Sequence, residues 1–227
     1  MARTLNVESH AIRREAFVDA AQRLIQGRGY EQMSIGDVLA ELDASRGAFY
    51  HYFDSKSALL DAVIDRMIDG VAAVIAPIAS DPGRSATQKL SDVFTGIGRF
   101  KGERTDLLKG ILEVWLADEN AIVRDKLKRR TRAMLVPLLA AIIDQGVDEG
   151  AFTATSPRHA AAALVSLMLG MNEFALELYF DRLAGEVTLE DVERSFDAYA
   201  EAFERILGAR PGSLAFADAA TIRQWYG

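Results

Sequence analysis

Apolar residues recur every three or four positions along most of the chain, the spacing that lays one stripe down an α-helix. Phe17, Ala20, Ala21, Leu24 and Ile25 form the first stripe, and the glycines at 27 and 29 end it. Ser34 can then cap a short second helix, with Asp37 three residues on completing a capping-box pattern ahead of Val38, Leu39 and Leu42. Asp43 and Ala44 make a turn, and Ser45 caps a third helix predicted over 46–53. Asp54 and Ser55 restart the chain as a longer fourth helix through Leu59, Leu60, Val63, Ile64 and Met67. Pro77 disturbs its last turns, and Ser80, Asp81, Pro82 and Gly83 end it. Further helices are predicted over 85–102, 106–117 and 120–146, the last bent at Pro137. Ser156 and Pro157 open an apolar helix over 160–180, and Thr188 with Asp191 opens a final one to about residue 207. Beyond Pro211 and Gly212, Ile222, Trp225 and Tyr226 give the tail an apolar surface to pack with. No alternating strand pattern interrupts the series, so the expected fold class is all-α.

Composition narrows the classes. In 227 residues, 50% hydrophobic and 26% charged content is that of a folded globule of one or two domains. The longest apolar runs fall short of the roughly 20 residues a bilayer helix needs, so no membrane partner is expected. The absence of cysteine excludes disulfides and thiolate chemistry. The first residues lack the basic and apolar segments of a signal peptide, which makes the cytoplasm the expected location. The net charge of −7 argues against a uniformly basic nucleic-acid coat. Residues 1–58, however, hold seven basic and eight acidic side chains, so they are nearly neutral while the rest is acidic. Any nucleic-acid contact is expected in a local patch near the N-terminus.

The third helix supplies such a patch. Two short helices joined by a tight turn and preceded by a supporting helix are what a helix-turn-helix reader of the major groove requires. At helical spacing Phe49, Tyr52 and Phe53 fall on one side, able to pack on the first two stripes. Arg46, Gly47, Tyr50 and His51 fall on the other, a mixture of groups able to meet base edges or phosphate oxygens. No acidic residue occurs between positions 44 and 53, and Lys56 adds a positive charge at the next helix start.

The stretch from Met33 to Val38, then Ser45 through Phe53 and on past Lys56 to Leu59, closely resembles the N-terminal signature of TetR-family transcriptional regulators, over about residues 10 to 60. The resemblance implies an all-helical homodimer, with a small DNA-binding domain and a larger effector-binding and dimerisation domain. The boundary is placed as 1–56 and 57–227. It implies that Ser34 and Tyr50 hold phosphates, that Ser45, Arg46 and Gly47 face base edges, that His51 and Tyr52 meet backbone or bases, and that Lys56 anchors a phosphate. Three positions depart from the family pattern: Leu39 replaces a small alanine, Asp43 the turn glycine and Ala44 a valine. Aspartate tolerates the left-handed backbone that turn glycine adopts.

The expected function is therefore a ligand-responsive repressor that binds a palindromic double-stranded DNA operator as a homodimer. A helical small-molecule carrier or interaction module that never touches DNA is the alternative. Phe94, Glu113, Trp115, Met134, Leu138, Met168 and Asn172, bulky or polar residues within apolar helices, are candidates to line an effector pocket. The alanine-rich helix at 160–179 and the last long helix at 191–206 are the candidate dimer elements. The basic run Lys126, Lys128, Arg129, Arg130 and Arg132 reads as a solvated helix face. His10, His51 and His159 are not at metal-ligand spacing, and neither a Gly-rich phosphate loop nor a triad pattern occurs. No metal, cofactor or enzymatic activity is expected.

Overall fold

The computed structural model describes residues 2–116, 121–216 and 219–227, with side chains from residue 10 onward except those of 113–116, 122 and 123. The described residues form helices and connecting turns without a strand. The elements are α1 (Ala2–Gln32), α2 (Ile35–Glu41), α3 (Arg46–Tyr50), α4 (Lys56–Ser80), α5 (Ala86–Gly102), α6 (Thr105–Leu116), α7 (Ala121–Asp148), α8 (Pro157–Ala184), α9 (Leu189–Leu207) and α10 (Ala219–Tyr226).

The chain divides into two compact units, Met1–Asp69 with Arg104–Leu127, and Gly70–Glu103 with Lys128–Gly227. The first unit takes in 57–69 and 104–127 besides the 1–56 segment that the sequence pattern delimits. In it, Phe17, Ala20, Ala21 and Ile25 of α1 are fully buried, together with Val38 of α2, Phe49 of α3 and Val63 of α4. Burial of such side chains is worth about 1.5–3 kcal/mol each for the larger ones, which is what holds helices as short as α2 and α3 in place. α6 lies against α1, where Gly110 faces the Ile25 carbonyl so closely that a Cβ there would stand 2.4 Å from its oxygen. Gly29 breaks the helical path of α1 at φ 79° and ψ 160°, a conformation that only glycine adopts readily.

The second unit is built on one core that includes Ile75, Leu90, Val93, Leu139, Ile142, Ile143, Leu164, Val165, Phe203 and Leu207. Phe94, Phe203 and Phe216 pack with ring centroids 4.6 to 5.3 Å apart. After α9 the chain is held by Glu204, whose buried carboxylate accepts from the backbone N–H groups of Gly212 (2.9 Å) and Leu214 (3.0 Å). The tail ends as α10, and Ile222 and Tyr226 bury against Leu178 and Val192. The Tyr226 hydroxyl donates to the Ala175 carbonyl at 2.9 Å, and burial pushes its phenol pKa up. α4 and α7 run on through Pro77 and Pro137 as single helices. α8 opens at Pro157, as the cap-and-proline pattern predicts, and runs past the expected end at Phe180 to Ala184. That helix is long and apolar enough to cross a membrane by length and composition alone. One face of it, including Ala161, Leu164, Val165 and Met168, is already spent on the second unit's core.

Candidate nucleic-acid interface

The supporting side of the first unit is tied down by both caps and ion pairs. Ser34 Oγ accepts from the Asp37 N–H at 3.2 Å, while the Asp37 carboxylate accepts from the Ser34 N–H (2.8 Å) and hydroxyl (2.6 Å). Those hydrogen bonds, followed by the Arg28 guanidinium at 3.1 Å, hold the Asp37 carboxyl below the usual carboxylate range. Arg23 pairs with Glu41 at 2.7 Å, and Arg66 of α4 donates to Glu15 (2.8 Å) and Asp19 (2.5 Å) of α1. The angle of α2 is thus set by two α1 arginines and one capping box, with the bulky Leu39 accommodated at a half-buried position.

The turn between α2 and α3 passes through Asp43 at φ 46°, the one positive-φ non-glycine among the described residues. The left-handed conformation expected of the missing glycine is adopted by the aspartate itself. The Ala44 N–H donates to the Leu39 carbonyl at 2.9 Å and closes the turn. Ser45 then caps α3, its Oγ accepting from the Ala48 N–H at 3.2 Å. α3 is shorter than the 46–53 expected from the spacing: helical geometry ends at Tyr50, and 51–53 continue as a turn that swings Phe53 into the core.

Phe49 is fully buried against Phe17, with centroids 5.7 Å apart and edge-to-face geometry. Its burial fixes the rotation of α3 and leaves Ser45, Arg46, Gly47, Tyr50 and His51 exposed along the opposite face. Tyr50 is 54% exposed although large and aromatic, and Arg46 pairs with no described residue. Tyr52 sits apart from this face. Its half-buried ring lies 4.6 Å from His10, 4.9 Å from His51 and 5.7 Å from Phe17, as a bridge between the open and buried sides. Ser34 is exposed, but its hydroxyl proton is engaged by Asp37. The Lys56 ammonium lies 4.1 Å from the Tyr30 ring centroid and donates to the Glu31 carbonyl at 3.4 Å. Burial, with Glu31 and Asp61 adding to it, pushes the Tyr30 phenol up to about 12.

Two contributors at this surface escape sequence reasoning. His10 meets both His51 and Tyr52, and Arg14 lies 5.1 Å from the Phe53 ring centroid. A lone histidine and an arginine on a polar helix face carry no motif that marks them.

The effector candidates distribute differently. Phe94 and Met168 are buried in the core of the second unit, and Met134 and Leu138 pack against that same core half-buried. Asn172 accepts a 2.8 Å hydrogen bond from the Lys101 ammonium. Side chains of Glu113 and Trp115 lie outside the described residues. In the basic run, Lys126 reaches Asp61 at 3.4 Å, Lys128 pairs with Glu173 and Arg132 donates to Ser166.

A buried three-helix support that presents a polar, acid-free helix behind a left-handed turn defines a helix-turn-helix DNA-binding domain. Residues 17–63 match the family model for bacterial regulatory proteins of the TetR family. The chain is similar to the transcriptional regulator EthR of Mycobacterium tuberculosis, with 29% identity over 75% of this chain and 76% of that protein. Its likeness to EthR of Mycolicibacterium smegmatis is 26% over 56% of this chain and 66% of that protein. Among solved structures, a TetR transcription regulator from Haloarcula marismortui shares the fold at TM-score 0.62, with 19% identity over 87% of this chain and 97% of the other. A transcriptional regulator from Cytophaga hutchinsonii does so at 0.56, with 17% identity over 94% and 98%. Residues 17–63 thus carry the helix-turn-helix domain of TetR-family transcriptional regulators, and the described residues share the all-helical fold of these solved relatives.

Proposed function

We propose that the protein is a cytoplasmic, one-component repressor without enzymatic activity, which binds a palindromic operator as a homodimer and releases it when a small molecule occupies the second unit. The observation that carries this reading is the division of labour along α3, where one face is sealed by Phe49 while Arg46, Gly47 and Tyr50 stand open together. On this reading Arg46, Gly47 and Ser45 meet base edges. Ser34, Tyr50 and Lys56 hold phosphates, His51 and Tyr52 flank them, and Ser34 and Lys56 exchange their internal partners for phosphate oxygens.

The dimer reading rests on α8 and α9. Only 28% of the most apolar 18-residue window of α8 is buried inside the chain. Met171, Phe174, Leu178, Phe196 and Tyr199 line a shallow apolar groove between the two helices, and Leu183 of α8 and Ile206 of α9 are exposed. A second copy burying this face would form a four-helix interface whose twofold axis sets the spacing of the two α3 helices. Entry into successive major grooves requires about 34–36 Å between them. Phe94, Met134, Leu138, Met168 and Asn172, with Glu113 and Trp115, are the proposed surroundings of the effector.

Fluorescence anisotropy with DNA flanking the protein's own gene tests the reading. Expected is saturable binding that prefers one sequence and weakens steeply with salt, as phosphate contacts release counterions. Binding that lacks sequence preference and salt dependence would favour the carrier instead.

A further inference from the structure

On α5, Phe94, Ile97 and Lys101 follow one another at the three-and-four spacing of a single stripe. Phe94 is buried in the core of the second unit and Ile97 packs against it, so the stripe ends on a lysine at a position its own periodicity assigns to an apolar residue. α8 mirrors this arrangement: Met168 packs in the same core, and Asn172 lies one turn further along. Lys101 and Asn172 meet across the two helices at 2.8 Å. α10 packs on both α5 and α8, and its Gln224 donates to the carbonyl of Gly102, the residue beside Lys101.

The charge balance of this pair is incomplete. Among the described residues no carboxylate pairs with Lys101, and its single hydrogen-bond partner is a neutral amide oxygen. Desolvation at this half-buried position pulls the ammonium pKa down to about 8. An ammonium has three donors, and the Asn172 amide nitrogen donates to no described group. The pair therefore offers a convergent set of unused donors and one unneutralised cation at the end of an apolar seam.

We propose that Lys101 and Asn172 form the head-group subsite for a carboxylate-bearing effector. The inference rests on the effector-responsive reading above and adds the ligand's charge class and the residue that selects it. The carboxylate supplies the missing counter-ion, and the Asn172 amide nitrogen orients its second oxygen. The amide oxygen of Asn172, which holds the ammonium in the free protein, gives up that place to the ligand.

The test is calorimetry at pH 7 on the full-length protein with octanoate, 4-phenylbutyrate and benzoate, each beside its primary amide. At least one carboxylate is expected to bind tenfold or more tightly than its amide. Lys101→Met should erase that preference. Asn172→Asp places an anion beside the ammonium within the chain and should exclude the carboxylates while leaving the fold intact. Should Lys101→Met fail to fold, the Asn172→Asp protein and NMR titration of the Lys101 amine decide. Saturation with the bound carboxylate is expected to raise the amine's proton affinity at least tenfold. Equal binding of acid and amide, binding of no carboxylate in the series, or an unmoved amine titration overturns the proposal. Operator release is followed in parallel. Carboxylate binding without release leaves the subsite standing and removes the effector-responsive reading, whereas release by a neutral compound with no carboxylate binding does the reverse.

Discussion

Replacing Gly110 with alanine sets two effects of opposite sign against each other. Within a helix, alanine is favoured over glycine by about 1 kcal/mol, so propensity alone predicts a gain. At Gly110 the added Cβ would lie 2.4 Å from the Ile25 carbonyl oxygen and 3.2 Å from Ile25 Cγ2. Relief requires α6 and α1 to part by about 1 Å, because a helical carbonyl cannot rotate out of the way as a side-chain tip can. Overpacking of this kind costs about 1–3 kcal/mol or more, and the parted helices also lose contacts around Leu107 and Ile111. The expected net loss is about 1–2 kcal/mol. For a chain of this size that lowers Tm by roughly 2–8 °C, measured by calorimetry at fixed protein concentration. Gly27 is the internal control, since a Cβ there meets nothing within 4 Å, and Gly27→Ala should stabilise by up to about 1 kcal/mol. A Gly110→Ala protein that melts at or above the Gly27→Ala protein would refute the close α1–α6 crossing.

At the proposed DNA face, Arg46→Ala should weaken operator binding by about 1–3 kcal/mol while leaving random-sequence DNA nearly unaffected, as anisotropy on the two duplexes would read. Lys56→Ala should instead weaken both alike and lower the slope of log K against log salt by about one. Phe174→Glu should convert the proposed dimer to monomer at micromolar concentration by light scattering; a persistent dimer places the interface elsewhere. Lys101 gives a pH signature. A lysine whose folded pKa is depressed binds fewer protons than in the unfolded chain between about pH 8 and its ordinary value near 10.4, so its charge penalises folding below that window and the penalty fades as pH rises through it. Lys101→Met should accordingly raise Tm at pH 7, with the advantage shrinking above pH 8, and an advantage that grows with pH would reject the desolvated, unneutralised ammonium.

The helix-turn-helix was legible because its constraints are local. Ser34 and Asp37 cap a helix three residues apart, Ser45 caps the next, and Phe49 announces the buried side of α3 by spacing alone. The extent of α3 was not legible, because Phe53 reaches the core through a turn rather than a further helical turn, a choice made by Phe17 and Phe49 from other elements. The membership of α6 in the first unit was hidden for a related reason. It depends on a glycine facing a carbonyl 85 residues earlier in the chain, and no window of sequence contains both. Among the effector candidates, residue type marks Phe94 and Met168 but does not separate core from cavity wall. Lys101 carries a readable signal, a cation on an apolar stripe.

Lys56 enters the proposed complex from an unusual starting point. Its ammonium already rests on an aromatic ring and a main-chain oxygen, so part of its hydration shell is gone and its rotamers are few before any duplex arrives. Overall grip on nucleic acid then becomes adjustable from Tyr30, a buried side chain that never needs to touch a nucleotide. Weakening that perch with leucine would free the lysine at the expense of its pre-positioning, and the balance between those two changes is a dial that selection can turn without disturbing the reading of bases.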